Sequence, residues 1–228
     1  MDAIRVKNLY KYYQIGDETV KALDGIDFSI KEGEFCAIVG TSGSGKSTLL
    51  NMLAGLEPPT KGEIIVNKRH IEHLKENGLV KFRRENVGFI FQSYQLLGTM
   101  NALENVALPL SFRGIPRARR EKKARDMLKL VHLEKHMKHM PAQMSGGQQQ
   151  RVGVARALVM EPRIIFADEP TGNLDTKTSK EIMELMQNVV KEENRTLVMV
   201  THDNELASYA DRVIRIIDGH VVSNEVKE

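Results

Sequence analysis

The sequence predicts an α/β fold: a mainly parallel sheet around a phosphate-binding loop (P-loop), with an antiparallel β-subdomain and an α-helical subdomain attached. Three observations predict it. Short apolar runs at Phe35–Val39, Val87–Phe91, Arg163–Ala167 and Thr196–Val200 have the length and composition of buried parallel strands. The pattern G-x-x-x-x-G-K-S runs in full from Gly40 to Ser47, after the first of those strands and before the helical spacing of Leu49, Leu50, Met52 and Leu53. Residues 4–34 read as strands and turns, whereas those from about 96 to 141 read as helix broken by Pro109, Gly114-Ile115-Pro116 and Pro141.

Composition bounds the rest. The 228 residues, 41% of them hydrophobic, are enough to bury a full core. No apolar run approaches the roughly 18 residues that a membrane span needs. The N-terminal Met1-Asp2-Ala3-Ile4-Arg5 lacks the apolar core of a secretory leader. A single cysteine, Cys36, lies in the strand before the loop, so no disulfide framework is implied and a reducing compartment fits. A net charge of +3 does not by itself argue for nucleic acid.

Taken in order, Val20, Ala22, Leu23, Ile26, Phe28 and Ile30 alternate between the turn signals Gly16-Asp17, Asp24-Gly25 and Glu32-Gly33. Tyr10, Tyr12 and Tyr13 precede the phosphate loop. An aromatic there can stack on a purine, but tyrosine also favours strands for packing alone. In the loop, Gly40, Ser42, Gly43, Ser44, Gly45, Lys46, Ser47 and Thr48 are the candidate phosphate contacts. Glycines let backbone N–H groups close on phosphate oxygens, and the helix N-terminus adds partial positive charge. Lys46 reaches the terminal phosphates and the Ser47 hydroxyl ligates Mg²⁺. This chain is expected to bind a nucleoside triphosphate.

Pro58–Gly62 is a loop, Glu63–Val66 a short strand, and Val87–Phe91 a second apolar strand ending at Gln92. A polar side chain at a strand's C-terminal end sits where open α/β sheets bind ligands, so Gln92 is a candidate contact for Mg²⁺ or its water. Between Arg113 and Met140 there are ten basic and three acidic residues, which leaves the rest of the chain net acidic. Ala124, Met127, Leu128 and Leu130 recur there at helical spacing, so the charges read either as a solvated helix face or as a surface toward anionic lipid.

Ser145-Gly146-Gly147-Gln148 opens another helix and forms a second candidate phosphate cradle. Two glycines weaken a first turn and exceed what a plain cap requires, which suggests a nucleotide held by a second copy of the chain. The strand Arg163–Ala167 ends in Asp168-Glu169; Asp168 is the candidate Mg²⁺ holder and Glu169 the candidate activator of water. Ser179–Val190 reads as an amphipathic helix. The strand Thr196–Val200 leads to Thr201-His202-Asp203, and Arg212–Gly219 makes a last strand and turn.

The order of phosphate loop, Gln92, Ser145-Gly146-Gly147-Gln148, Asp168-Glu169, Asp175 and His202 resembles the ATP-binding-cassette (ABC) ATPases from Ile4 to Gly219. The resemblance implies an ATPase using ATP and Mg²⁺. It implies Tyr13 as the adenine-stacking aromatic, Gln92 as the lid-loop glutamine and Asp175 as the loop acid facing the partner. It also implies His202 at the γ-phosphate and Glu169 as general base, with Lys46 stabilising charge. Two copies would close head to tail on two ATPs, each signature serving the other's phosphate loop. A single domain over 1–228 is implied, with a β-subdomain at about 1–34 and 60–70, a helical subdomain at about 96–145 and a RecA-like core in the remainder. Nine residues follow Gly219, so no appended regulatory domain is expected.

Phe91-Gln92-Ser93-Tyr94-Gln95-Leu96-Leu97 and Glu169-Pro170-Thr171-Gly172-Asn173-Leu174-Asp175 are most similar to the branch containing lipoprotein-releasing, macrolide-exporting, peptide-resistance and cell-division cassettes. That branch implies an integral membrane permease as partner, a peripheral place on the cytoplasmic face of the cell membrane, and no nucleic acid. Met144 replaces the usual leucine before the signature, a swap of similar volume. Gly98 stands where relatives often have proline. The alternative within the family is a soluble ABC ATPase of DNA repair or translation, but those usually carry two cassettes or a long coiled-coil insertion, and neither is read here. The guanine-reading motif of GTPases is not present either, since Asn67-Lys68-Arg69-His70 fails at its last position.

Overall fold

In the computed structural model, which describes residues 1–227, β3 (Phe35–Val39) is buried at all five positions. It lies inside a six-stranded sheet with β6 (Val87–Ile90), β7 (Ile164–Asp168), β8 (Thr196–Thr201), β9 (Arg212–Ile217) and β10 (His220–Val226), in the order β10-β9-β3-β8-β7-β6. All pairs are parallel except β9–β10. Both faces are covered, and for that reason β3, β7 and β8 are buried almost throughout, whereas β9 alternates between buried and more open positions. Successive side chains of β3 divide between two cores. Cys36 and Ile38 pack with Phe166, Val198 and the buried leucines of α1 (Lys46–Leu53). Phe35, Ala37 and Val39 join Leu197, Met199 and the helical side of the molecule. Burial pushes the Cys36 thiol well above its ordinary range.

A second, antiparallel sheet has the order β2-β1-β4-β5, from β1 (Asp2–Ile15), β2 (Glu18–Lys31), β4 (Lys61–Val66) and β5 (Arg69–His70). Its inner residues Ile4, Leu9, Leu23, Ile26 and Ile30 are fully buried against the β3 face that carries Cys36. β4 crosses β1 so closely at Gly62 (φ +98°) that a Cβ there would lie 2.2 Å from the Asn8 carbonyl oxygen. Only glycine fits that crossing.

The expected helical stretch from about 96 to 141 resolves into α3 (Ala102–Phe112) and α4 (Arg117–Leu130), followed by turns and a short 3₁₀ segment at Pro141–Gln143. Pro109 lies inside α3 instead of breaking it; the helix ends within one further turn, so the missing N–H disrupts little. The break is at Gly114 (φ +71°). On α4, Ala124 and Leu128 are buried while the basic residues face outward, Arg117 and Arg125 both pairing with Glu121. That matches an amphipathic helix with an exposed basic face.

The structure also contains elements beyond the sequence reading, α2 (Glu76–Asn86) and β10 among them. α2 buries Phe82 alone, too little for an apolar period to show. After Asp218-Gly219 the chain returns as β10, a mostly exposed edge strand. It is fastened by Arg212, which bonds the Asn224 amide oxygen at 2.8 Å and forms a buried ion pair with Glu34 at 2.8 Å.

A buried polar residue organises the start of the helical region. Asn105, fully inside α3, donates to the carbonyls of Leu97 (3.1 Å), Met100 (2.9 Å) and Asn101 (3.1 Å), and accepts from the Leu97 N–H at 2.8 Å. The loop before α3 therefore hangs on one side chain. Replacing Asn105 with Ala removes all four of these hydrogen bonds from a fully buried position and should cost about 1–3 kcal/mol in urea unfolding. An unchanged midpoint would show that the loop is held elsewhere.

Candidate nucleotide-binding site

The parallel register brings the C-terminal ends of β3, β7 and β8 side by side, Ala37 pairing with Met199 and Ala167 with Met199 from the other side. From those ends project the phosphate loop, Asp168-Glu169 and Thr201-His202, where ligands meet open α/β sheets. Within the loop, a Cβ at Gly40 would fall 2.3 Å from the Ile216 carbonyl oxygen and 2.6 Å from the Ser44 hydroxyl. Gly45 has φ +96°, and a Cβ there would meet the Ala22 carbonyl oxygen at 2.3 Å. Both glycines are needed for the loop to lie against its neighbours. Ser42 and Gly43 form the exposed tip.

Lys46 folds back over the loop and donates to the Thr41 carbonyl at 2.7 Å. Burial pushes its pKa down, and nearby Glu169 and Asp168 push it back up. Ser47 donates to Asp168 Oδ1 at 3.1 Å, so a hydroxyl and a carboxylate from opposite sides of the cleft meet. Asp168 has its pKa raised, mainly by burial and against the Ser47 hydrogen bond. The Ser44 hydroxyl is buried without a partner among the described residues. An orphaned donor in a glycine-framed, lysine-topped cradle fits a phosphate oxygen. The Ser47–Asp168 pair offers the hard oxygen donors that Mg²⁺ takes.

Glu169 adopts the left-handed region (φ +41°), a conformation that strains a non-glycine residue and is found at functional sites. Its N–H still bonds the Val200 carbonyl at 3.1 Å, while its carboxylate turns to His202, Oε1 to Nδ1 3.2 Å. The two side chains and the loop residues Gly40, Thr41 and Ser42 line a cavity of about 550 Å³, together with Arg215 and Asn204, which the sequence did not mark.

Tyr13 lies at the side of the loop, facing Thr48 at the start of α1. Its hydroxyl donates to Glu57 Oε2 at 2.9 Å, and Lys11 sits 5.0 Å over its ring. Burial and then the Glu57 hydrogen bond raise its pKa. Tyr12 is engaged elsewhere, bonding Asp24 at 2.7 Å.

The remaining predicted residues surround the cleft without lining that cavity. Gln92 rests against Gly172, and its carbonyl accepts from Asn173 at 3.1 Å. Among the described residues its side chain has no hydrogen bond to Ser47 or Asp168. Asp175 caps α6 (Thr176–Glu193), accepting from the Thr178 N–H at 3.0 Å and its hydroxyl at 2.7 Å, which holds its pKa below the usual range. Ser145 and Gln148 form a reciprocal capping box at the start of α5 (Gly146–Leu158), and Gln148 also meets His136 at 3.2 Å. The paired glycines have a packing reason that the sequence argument lacked. A Cβ at Gly147 would lie 2.4 Å from the Thr178 methyl, and one at Gly146 would lie 2.8 Å from the Tyr94 hydroxyl.

Residues on α5 behind the signature went unmarked in the sequence. Arg156 donates to the carbonyls of Tyr94 (2.7 Å) and Gln95 (2.6 Å), both of which have left-handed backbones. Buried Gln150 donates to the Pro170 carbonyl at 2.6 Å. The available signal was a cation and an amide at otherwise apolar helix positions.

Fold and site together define a phosphate-loop nucleotide-binding protein. The ABC transporter family profile matches residues 23–172, and the chain belongs to that family. It is 46% identical over 94% of its length to an uncharacterised ABC transporter ATP-binding protein of Thermotoga maritima, covering 91% of that protein. It is 45% identical over 97% of its length to the ATP-binding protein MJ0796 of Methanocaldococcus jannaschii, covering 96% of it. The dimeric structure of MJ0796 with ADP and Pi in a post-hydrolysis state superposes with a TM-score of 0.91, covering 98% of each chain. With the macrolide export ATP-binding/permease protein MacB of Chlorobium phaeobacteroides the identity is 48% over 98% of this chain, which spans 34% of that longer protein. The chain is thus an ABC ATPase that binds and hydrolyses ATP.

The Tyr13 ring and hydroxyl can be separated by mutation. Tyr13→Ala should raise the KM for ATP by the loss of roughly 1–3 kcal/mol of base stacking, with a smaller change in kcat. Tyr13→Phe, which keeps the ring and loses only the bond to Glu57, should leave KM near wild type. Equal defects in both would assign the role of Tyr13 to its hydroxyl and the bond to Glu57.

Proposed function

We propose that this chain is the ATP-hydrolysing subunit of a transporter of the macrolide-export and lipoprotein-release type. In this reading two copies close head to tail around two ATPs and drive an integral membrane permease, from a peripheral position on the cytoplasmic face and without nucleic acid. The observation that carries it is the meeting of Ser47 with Asp168 and of Glu169 with His202 at adjacent strand ends. The β-subdomain at about 1–34 and 60–70 would present Tyr13 to adenine, and the helical subdomain at about 96–145 would present the signature to the partner copy. Among the described residues no helix is long and apolar enough to cross a membrane.

Gly40, Ser42, Gly43, Ser44, Gly45 and Thr48 would hold the phosphates, with Lys46 neutralising charge on the terminal one. Ser47, Asp168 and Gln92 would hold Mg²⁺. When bound, Mg²⁺ supplies further neutralisation of the phosphate oxygens. Glu169 takes the proton of the attacking water, and His202 fixes the Glu169 carboxylate and reaches the γ-phosphate. Such hydrolysis is mostly positioning and electrostatics, which suits a preformed loop with strained, well-held acids. Ser145, Gly146, Gly147 and Gln148 serve the nucleotide of the partner copy, and Asp175 faces that copy. None of them lines the cavity at this chain's own loop.

Removing charge from the two acids should separate their roles. Glu169→Gln keeps shape but loses the basic oxygen, so ATP still binds while hydrolysis falls by roughly 10²–10⁴-fold. Trapped ATP should then convert monomer to dimer on size-exclusion chromatography. Asp168→Asn should instead weaken Mg²⁺-dependent binding and yield no dimer. Wild-type turnover by Glu169→Gln would remove it as the base.

The closed arrangement has its own test. A cysteine at Ser145 should cross-link to one at Ser42 of a second chain in the presence of ATP. Cross-links confined to a single chain would exclude the composite site.

A further inference from the structure

Away from the nucleotide cleft, the end of β5 and the turn behind it bring two imidazoles and a carboxylate together. His70 Nδ1 lies 2.7 Å from Glu72 Oε1, and His73 Nε2 lies 3.4 Å from the same oxygen. The three ligand atoms are all within 4.8 Å of one another. The two rings are nearly parallel, with centroids 5.7 Å apart and planes 14° apart. Glu72 differs from a surface acid: its side chain is only 5% exposed. Its other oxygen, Oε2, accepts from the Ile64 N–H of β4 at 3.1 Å. One oxygen is therefore fixed by the sheet and the other is aimed at both imidazoles. A backbone bond that orients a ligating carboxylate is a regular companion of protein metal sites.

We infer that His70, Glu72 and His73 form a site for a divalent transition ion of the zinc class, separate from the ATP site. Donor chemistry carries the choice of ion. Two imidazole nitrogens and one carboxylate oxygen suit zinc-class ions, whereas Mg²⁺ takes an all-oxygen shell. Ligand bonds of about 2.0–2.1 Å around a tetrahedral zinc set neighbouring donors about 3.3 Å apart. The His73–Glu72 distance of 3.4 Å already matches. The His70–Glu72 contact of 2.7 Å is a hydrogen bond that opens by about half an ångström when its proton is displaced. Lys68, Arg69 and Lys75 flank the cluster in sequence, so bulk charge does not draw a cation there. Water completes the fourth position, because His70 and His73 are 45% and 77% exposed at their side chains.

Position gives the site a consequence. Ile71 bonds back to the Ile64 carbonyl at 3.0 Å, and Lys75 immediately precedes α2, which runs directly into β6 and Gln92. An ion gripping both His70 and His73 locks the turn through which the second sheet hands the chain to α2.

The test uses the whole chain, stripped with chelator and free of nucleotide. Zinc is titrated in against a chromophoric chelator while the nitrogen resonances of the seven histidines are followed by NMR. The wild type should take up about one equivalent, with His70 and His73 shifting together. His70→Gln/His73→Gln, at exposed positions that leave the Glu72–Ile64 bond in place, should lose that equivalent and keep wild-type ATP hydrolysis. Millimolar Mg²⁺ should move neither resonance. Unchanged uptake by the double variant, shifts confined to other histidines such as His202, displacement of zinc by Mg²⁺, or no uptake would each overturn the site.

Discussion

Everything in the cleft depends on the parallel register of β3, β7 and β8. Three strands that begin at unrelated points of the chain end at one level, because each lies hydrogen-bonded against the next with no bulge between them. A side chain one residue beyond such a strand has its position set by the sheet rather than by its own loop. Asp168 closes β7, and Ser47, in the first turn of α1 beyond the phosphate loop, meets it at 3.1 Å across 121 positions of sequence. A slip of one residue in β7 would exchange Asp168 for Ala167 and turn the acids into the opposite core. The register is protected by burial on both faces, which leaves no polar alternative.

Around that fixed edge the connecting loops form a second, softer layer that is tied together from α5. Arg156 grips Tyr94 and Gln95, Gln150 grips Pro170, and Gly147 packs on Thr178 at the head of α6. Asn173 closes the circuit by bonding the Gln92 carbonyl. Hence the helix that starts at Ser145 cannot tilt without pulling on the loops after both β6 and β7. Two of those loop residues, Tyr94 and Gln95, are already in left-handed conformations held by the Arg156 guanidinium. Burial lowers the pKa of that guanidinium.

What was legible in the sequence follows from which forces are local. The phosphate loop could be read because Gly40 to Ser47 are contiguous, and a strand and helix flank them. Asp168-Glu169 and His202 could be read because each follows an apolar run whose end is visible. Glu57, Arg156 and Asn105 could not, since each matters through a partner distant in sequence or in an irregular loop. α2 and β10 were missed because both are peripheral and bury too few side chains for any period to emerge. The glycine pair at 146 and 147 was noticed, yet its contact with Tyr94 and Thr178 needed coordinates.

The buried strand that leads into the loop also decides how the protein behaves toward thiol chemistry. Cys36 is the sole cysteine, fully enclosed between β8 and β9, with a thiol disfavoured from ionising. A protonated, inaccessible sulfur neither attacks maleimides nor exchanges with disulfides while the fold is intact. The native chain is therefore a silent background for single-site fluorophores and spin labels. Any sudden reactivity of Cys36 would report that the central sheet itself had opened, making this residue a built-in gauge of global unfolding.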